Sequence, residues 1–214
     1  MPFIRDLFDY NEKEHKGYYC GELVPSITQL LEMIYPLAEN IPTRNLQNAA
    51  NRGIEIHELI EKFNNAEDGT DLTTMLLEPN VLNYYAFLKT LGLRPYKCEE
   101  TVFLLDENKE LIAYGHFDFV LKCLTDTLFG ESGELVLGDL KTTAELHKAK
   151  VKLQTEFYRV AYQQTFNEPL SNKTFALHLR DGKIKFYPFN ANNEEETIFH
   201  AKKLRDVWNN GSEH

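Results

Sequence analysis

The stretch Leu135-Val136-Leu137-Gly138-Asp139-Leu140-Lys141-Thr142-Thr143 decides how this chain is read. It is a short apolar run that ends in charge, the pattern of a buried strand delivering polar groups at its end. Side chains alternate faces along a strand, so Asp139 and Lys141 share a face with Leu135 and Leu137, while Val136, Gly138 and Leu140 point the other way. A carboxylate and an ammonium thus occupy a face that begins as core. Burying that pair is costly unless something compensates, and a divalent cation shared with a second carboxylate does so. Upstream, Tyr114-Gly115-His116-Phe117-Asp118-Phe119-Val120 is a similar apolar run, and Asp118 is the second ligand this reading needs.

Working outward, the elements alternate between helix and strand. Ser26 caps a short helix through Tyr35, stopped by Pro36. Ile56, Leu59, Ile60 and Phe63 form an apolar stripe in a helix from Leu46 to Asn64, with Gly53, His57 and Glu61 in a neighbouring row. Asp71 to Leu91 reads as further helix, interrupted or bent near Pro79. Strands are expected over Lys97–Leu105, Leu111–Lys122 and Leu135–Lys141, with a hairpin turn at Asp106–Lys109 and a longer connection over Asp126–Gly133. Leu153, Phe157, Val160 and Ala161 mark the next helix. Thr174–Leu179 and Lys183–Phe189 make a hairpin around Asp181-Gly182, and Glu194–Trp208 closes the chain as a helix.

Composition sets limits without choosing a function. The 214 residues, 43% hydrophobic and 12% aromatic, suit one domain spanning 1–214, and no repeat or linker divides them. No apolar run reaches the roughly 18 residues of a membrane span, and Met1-Pro2-Phe3-Ile4-Arg5-Asp6 lacks a signal peptide's pattern, so an intracellular protein is expected. Cys20, Cys98 and Cys123 are too scattered for a disulfide framework or a zinc knuckle. The net charge of -10 argues against a simple nucleic-acid binder, since phosphate affinity comes from Lys and Arg. A cation held by the acids would offset part of this charge. His147-Lys148-Ala149-Lys150-Val151-Lys152 is the best local basic stretch, either a phosphate contact or a solvated helix start.

Three further blocks make the pattern specific. Arg52-Gly53-Ile54-Glu55-Ile56-His57-Glu58-Leu59-Ile60-Glu61 resembles the Gly-x-x-x-His-x-x-x-Glu helix of RecB-type nucleases, and Gln154 and Tyr158 resemble that group's Gln-x-x-x-Tyr helix. Leu23-Val24-Pro25-Ser26-Ile27-Thr28-Gln29-Leu30-Leu31 is similar to the Pro-Ser-hydrophobic-Thr opening of phage-type nucleases related to the mitochondrial genome maintenance exonuclease. Taken in order from Pro25 to Tyr158, the blocks resemble the PD-(D/E)xK nuclease superfamily, RecB-like branch. His57-Glu58 does not read as a zinc protease, because Glu61 stands where a second His is required.

The resemblance implies an α/β fold with a restriction-endonuclease-like core, a central mixed sheet flanked by helices. It implies a DNA exonuclease acting in replication, recombination or repair on DNA with a free end or in single-stranded form, alongside a recombination or replication protein; a phage source fits. The alternatives are a structure-specific endonuclease and a non-catalytic DNA-binding module. Asp118 and Asp139 become ligands of Mg²⁺ or Mn²⁺, with the Leu140 carbonyl as a third oxygen and His57 as a nitrogen ligand that shifts preference toward Mn²⁺. Lys141 orients or activates water and stabilises negative charge. Gln154 and Tyr158, one turn apart on a helix, lie beside the phosphate and the DNA strand, where the Tyr158 ring can stack on a base. Of Glu99 and Glu100, which alternation sends to opposite faces, Glu100 is expected to be the accessory acid. The iron-sulfur cluster of some relatives is not expected, because no Cys follows Cys123.

Overall fold

Leu135–Lys141 is the middle strand of a five-stranded mixed sheet in the computed structural model, which describes residues 4–36, 43–67, 69–180 and 182–211. In chain order the elements are α1 (Ile4–Leu7), β1 (Phe8–Asn11), β2 (Lys16–Tyr19), β3 (Glu22–Val24), α2 (Ile27–Glu32), α3 (Thr43–Asn64), a 3₁₀ turn at Met75–Leu77, α4 (Pro79–Thr90), β4 (Leu93–Cys98), β5 (Thr101–Leu105), β6 (Leu111–His116), β7 (Phe119–Cys123), β8 (Leu135–Lys141), α5 (Lys148–Phe166), β9 (Lys173–Arg180), β10 (Lys183–Asn190) and α6 (Glu194–Gly211). The central sheet has the order β10-β9-β8-β7-β4. Strands β8 and β9 run parallel through the α5 crossover, and the other neighbours are antiparallel.

Both faces of β8 are buried, as its apolar run predicts. On one face Val136 and Leu140 join Phe119 and Leu177 against Ile56 and Ile60 of α3 and Val81 and Tyr84 of α4. On the other, Leu137 and Val120 pack against Phe157, Val160 and Ala161 of α5. Each such large apolar side chain contributes roughly 1.5–3 kcal/mol on burial. The result is an α/β architecture with helices on both faces of a mixed sheet. No helix among the described residues is long and apolar enough to cross a membrane.

Several local readings hold. Ser26 caps α2 with a full capping box, its hydroxyl accepting from the Gln29 N–H while the Gln29 side chain accepts from the Ser26 N–H. The helix is shorter than expected and ends at Glu32. Of the two alternatives at Pro79 the interruption is the one observed: the 3₁₀ turn ends at Leu77 and α4 opens at Pro79, whose missing N–H costs nothing at a first helical position. The expected β9–β10 hairpin forms, with Arg180 opposite Lys183; Asp181 at its turn lies outside the described residues.

Two expected strands are each broken. Lys97–Leu105 divides at Glu99 and Glu100 into β4 and β5, and Leu111–Lys122 divides at Phe117 and Asp118 into β6 and β7. Strands β5 and β6 pair as their own two-stranded sheet, whereas β4 and β7 join the central one. Glu99 sits in the left-handed region at φ 51° and donates its N–H to the Phe117 carbonyl at 3.0 Å and the Asp118 carbonyl at 3.3 Å. One hairpin is thereby folded over a hydrogen-bonded joint. The meander β1-β2-β3 has no counterpart in the sequence reading. It covers Phe103 and Tyr114 of the small sheet with Phe8 and Tyr10.

Candidate active site

The joint gathers acids from both broken strands. His57 Nδ1 on α3 lies 3.4 Å from Asp118 Oδ1 and 3.9 Å from Glu99 Oε1. Ligand atoms of His57, Glu99 and Asp118 lie within 4.8 Å of one another. In the β7–β8 ladder Phe119 faces Gly138, so one residue further on each side brings Asp118 to the level of Asp139. Asp118 Oδ2 accepts the Leu140 N–H, which continues the ladder with a side chain where β7 has ended. Because the N–H and C=O of a strand residue point to the same edge, the Leu140 carbonyl faces that same side, as the proposed third oxygen requires.

Asp139 is 1% exposed, and Lys141 Nζ approaches its Oδ2 at 2.5 Å. That oxygen has no well-formed hydrogen bond among the described residues. Burial pushes Asp139 up to about 6 against the pull of Lys141. Burial also pulls the Lys141 ammonium down, but Asp139 and Asp118 outweigh it and hold the proton on more firmly than usual. Asp118 is kept below the ordinary carboxylate range: burial opposes this, and the His57 charge wins with help from Lys141 and the Leu140 N–H. Glu99 is lifted by burial against the pull of His57, and Asp118 adds to the rise.

Glu100, the expected accessory acid, points away. It meets Arg5 at 3.9 Å on the surface, while Glu99 enters the site. Alternation holds only for a continuous strand, and the positive φ of Glu99 breaks it. A non-glycine residue there costs roughly 1–2 kcal/mol, a strain placed at one of the clustered acids. His116, on the small sheet, contacts Thr101 Oγ1 at 3.0 Å and the Tyr10 ring, away from the acids.

Gln154 and Tyr158 are 7% and 5% exposed. The Tyr158 ring, carried by α5, is buried in the core and leaves no face for a base to stack on, while its hydroxyl feels the charges of Asp139 and Asp118. Burial raises that hydroxyl to about 12 against hydrogen bonding to Thr28 and Gln154, and the charges of Asp139 and Asp118 add to the rise. Thr28, in the Pro-Ser-x-Thr block, is therefore a site residue that sequence reasoning quoted but did not assign. On the opposite side Gly53 lets α3 approach the end of β8, since a Cβ there would lie 3.0 Å from Thr142 Oγ1. An open cleft of about 450 Å³ lined by Ala50, Gly53, His57, Glu61 and Glu99 opens onto the His57–Glu99 side of the cluster.

The basic stretch is only partly available. Lys152 pairs with Glu156 at 2.6 Å, Lys150 reaches the Tyr35 carbonyl at 3.4 Å, and Lys148 lies 4.7 Å from the Tyr187 ring centroid. The clustered donors nevertheless fit a divalent cation: the carboxylates of Glu99 and Asp118 and an imidazole nitrogen of His57, with the Lys141-paired carboxylate of Asp139 at the level of Asp118.

Comparison with protein-family models finds no match, and comparison with curated proteins finds none. A solved structure, the crystal structure of SSO0001, aligns over 85% of this chain and 84% of that one, at 15% identity and a TM-score of 0.39. A likeness that distant carries no argument about fold or activity.

Proposed function

We propose that the chain is a metal-dependent DNA nuclease of the PD-(D/E)xK type with a RecB-like arrangement. The observation that carries this reading is the convergence of His57, Glu99 and Asp118 beside the buried Asp139–Lys141 pair. A structural ion pair alone has no use for two further acids and an imidazole at the same strand end. The topology supports it too: antiparallel β4, β7 and β8, then the α5 crossover to parallel β9, is compatible with a restriction-endonuclease-like core.

In this reading His57, Glu99, Asp118 and Asp139, with the Leu140 carbonyl, hold Mg²⁺ or Mn²⁺. Such an ion supplies Lewis acidity to the phosphate and to the attacking water. Lys141, kept protonated by Asp139 and Asp118, acts as a donor that orients the water and stabilises charge on the phosphate, not as a base. Tyr158 and Gln154 position these groups from α5. Action from DNA ends rests on the resemblance to phage-type enzymes.

End-labelled linear DNA and covalently closed circles, single-stranded and duplex, test the proposal in Mg²⁺ and in Mn²⁺. Linear substrate is expected to be degraded by the wild type and untouched by Asp139→Asn. Rapid cutting of single-stranded circles replaces the exonuclease by an endonuclease, and cleavage by Asp139→Asn in saturating Mn²⁺ removes the site.

A further inference from the structure

The strand registers carry the face of Asp139 and Lys141 outward to the sheet edge. Asp139 is opposite Ala176 on β9, which is opposite Tyr187 on β10; Lys141 is opposite His178, which is opposite Lys185. Cross-strand partners share a face, so Lys185, and Lys183 two residues before it, stand on the face that bears the acids. Adjacent strands are about 4.8 Å apart, which puts Lys185 roughly 10 Å from Lys141 across the sheet. Lys148, the first residue of α5, reaches the Tyr187 ring and so adds a third ammonium group near this face.

This row is built rather than incidental. The His178 Nε2–H donates to the Thr143 carbonyl at 2.7 Å, fixing the loop that leaves Lys141 onto the start of the row. Lys183 and Lys185 are exposed and have no carboxylate partner among the described residues. On a chain of net charge -10, unpaired ammonium groups aligned with the acid site are a local attraction for a polyanion. Lys183 and Lys185 follow one another on one face of a single strand, a line of charge that suits one phosphodiester strand.

We infer that the outer face of the β9–β10 hairpin, through Lys183 and Lys185 with Lys148 beside Tyr187, binds the phosphates of a single DNA strand as it leaves the site. This rests on the nuclease reading above. It assigns to β10 a substrate contact that the sequence blocks, which end at Tyr158, do not contain.

The experiment is equilibrium binding of a fluorescein-labelled oligothymidylate to the full chain in EDTA, by anisotropy across a salt series. Lys183→Gln/Lys185→Gln is expected to weaken binding about tenfold at low salt and to reduce the log–log salt slope by about 1.4, roughly 0.7 for each lost single-strand contact. Lys89→Gln/Lys203→Gln removes equal charge from exposed positions elsewhere and is expected to bind as wild type. An unchanged affinity and slope in the hairpin variant, an equal loss in the control, or no strand binding by the wild type each overturns the inference. Hairpin-dependent binding without cleavage in Mg²⁺ or Mn²⁺ sustains it and removes the nuclease reading. Cleavage by the wild type with unaltered binding by the hairpin variant does the reverse.

Discussion

Gly115 on β6 and Tyr158 on α5 are fitted to each other: a Cβ at position 115 would lie 2.5 Å from Tyr158 Cε1 and 3.3 Å from its hydroxyl oxygen. The missing side chain is what lets the phenol pass the strand toward Asp139 and Asp118.

Gly115→Ala therefore displaces the Tyr158 hydroxyl while every polar residue of the site remains. Overpacking of this kind costs about 1–3 kcal/mol, and a misplacement near 1 Å can cost about 10²-fold in rate. The expected outcome is a folded protein that degrades DNA about 10²-fold more slowly, checked by circular dichroism and end-labelled digestion. Tyr158→Phe, which keeps the ring, should share much of the defect. Wild-type rates in both variants would show that the hydroxyl has no part in the reaction.

Glu99 and Glu100 give a paired test of the joint. Glu99→Gln should weaken Mn²⁺ binding at least tenfold in titration calorimetry, as expected for loss of a ligand, whereas Glu100→Gln should leave it unchanged because Glu100 faces Arg5. The reverse ranking would mean that β5 is rotated relative to the arrangement described.

How much of this was legible in the sequence depends on whether a residue's position follows from local periodicity. Asp139, Lys141 and His57 sit where strand alternation and the α3 stripe place them, and Gln154 and Tyr158 share a face of α5 as their spacing requires. Glu99 was not legible, because its positive φ resets the alternation and is stabilised by carbonyls of a distant strand. Nor was the burial of Tyr158, which depends on Gly115 across the sequence. The alignment of Lys185 with Lys141 depends on a parallel register that no short window contains.

The His57 proton gives a pH signature. Burial alone would lower its pKa, but Asp118 and then Glu99 outweigh burial and raise it from 6.5 to about 10 in the metal-free chain. The stabilisation is fully present below 6.5, where the unfolded imidazole is also charged, and is lost as pH rises through about 10. A cation using Nδ1 must displace this proton, so affinity should rise with pH and about one proton should leave per ion near neutrality. Calorimetry of Mn²⁺ binding in buffers of different ionisation enthalpy measures that release. His57→Gln should abolish the buffer dependence; no dependence in the wild type would rule His57 out as a ligand.

A last prediction tests the packing of β4 against α5 independently of any activity. Glu168, just past the end of α5, accepts from the Tyr162 hydroxyl at 2.6 Å, the Tyr96 hydroxyl at 3.1 Å and Lys97 Nζ at 3.2 Å. The Tyr162 hydrogen bond leads in lowering its pKa, with Lys97 and Tyr96 assisting against burial. A carboxylate lowered in the folded state stabilises the fold above its unfolded pKa, and that contribution disappears as pH falls through the folded value. Hydrogen bonds to a charged acceptor are worth about 1.5–3 kcal/mol, and partial exposure reduces this to about 1 kcal/mol. Glu168→Gln should then lower the melting temperature by about 2–4 °C at neutral pH. Below the folded pKa, where the wild-type carboxylate is protonated, the two melting curves should converge. A constant difference across the acid range would mean that the Gln perturbs packing and that the ionised carboxylate is not what joins β4 to α5.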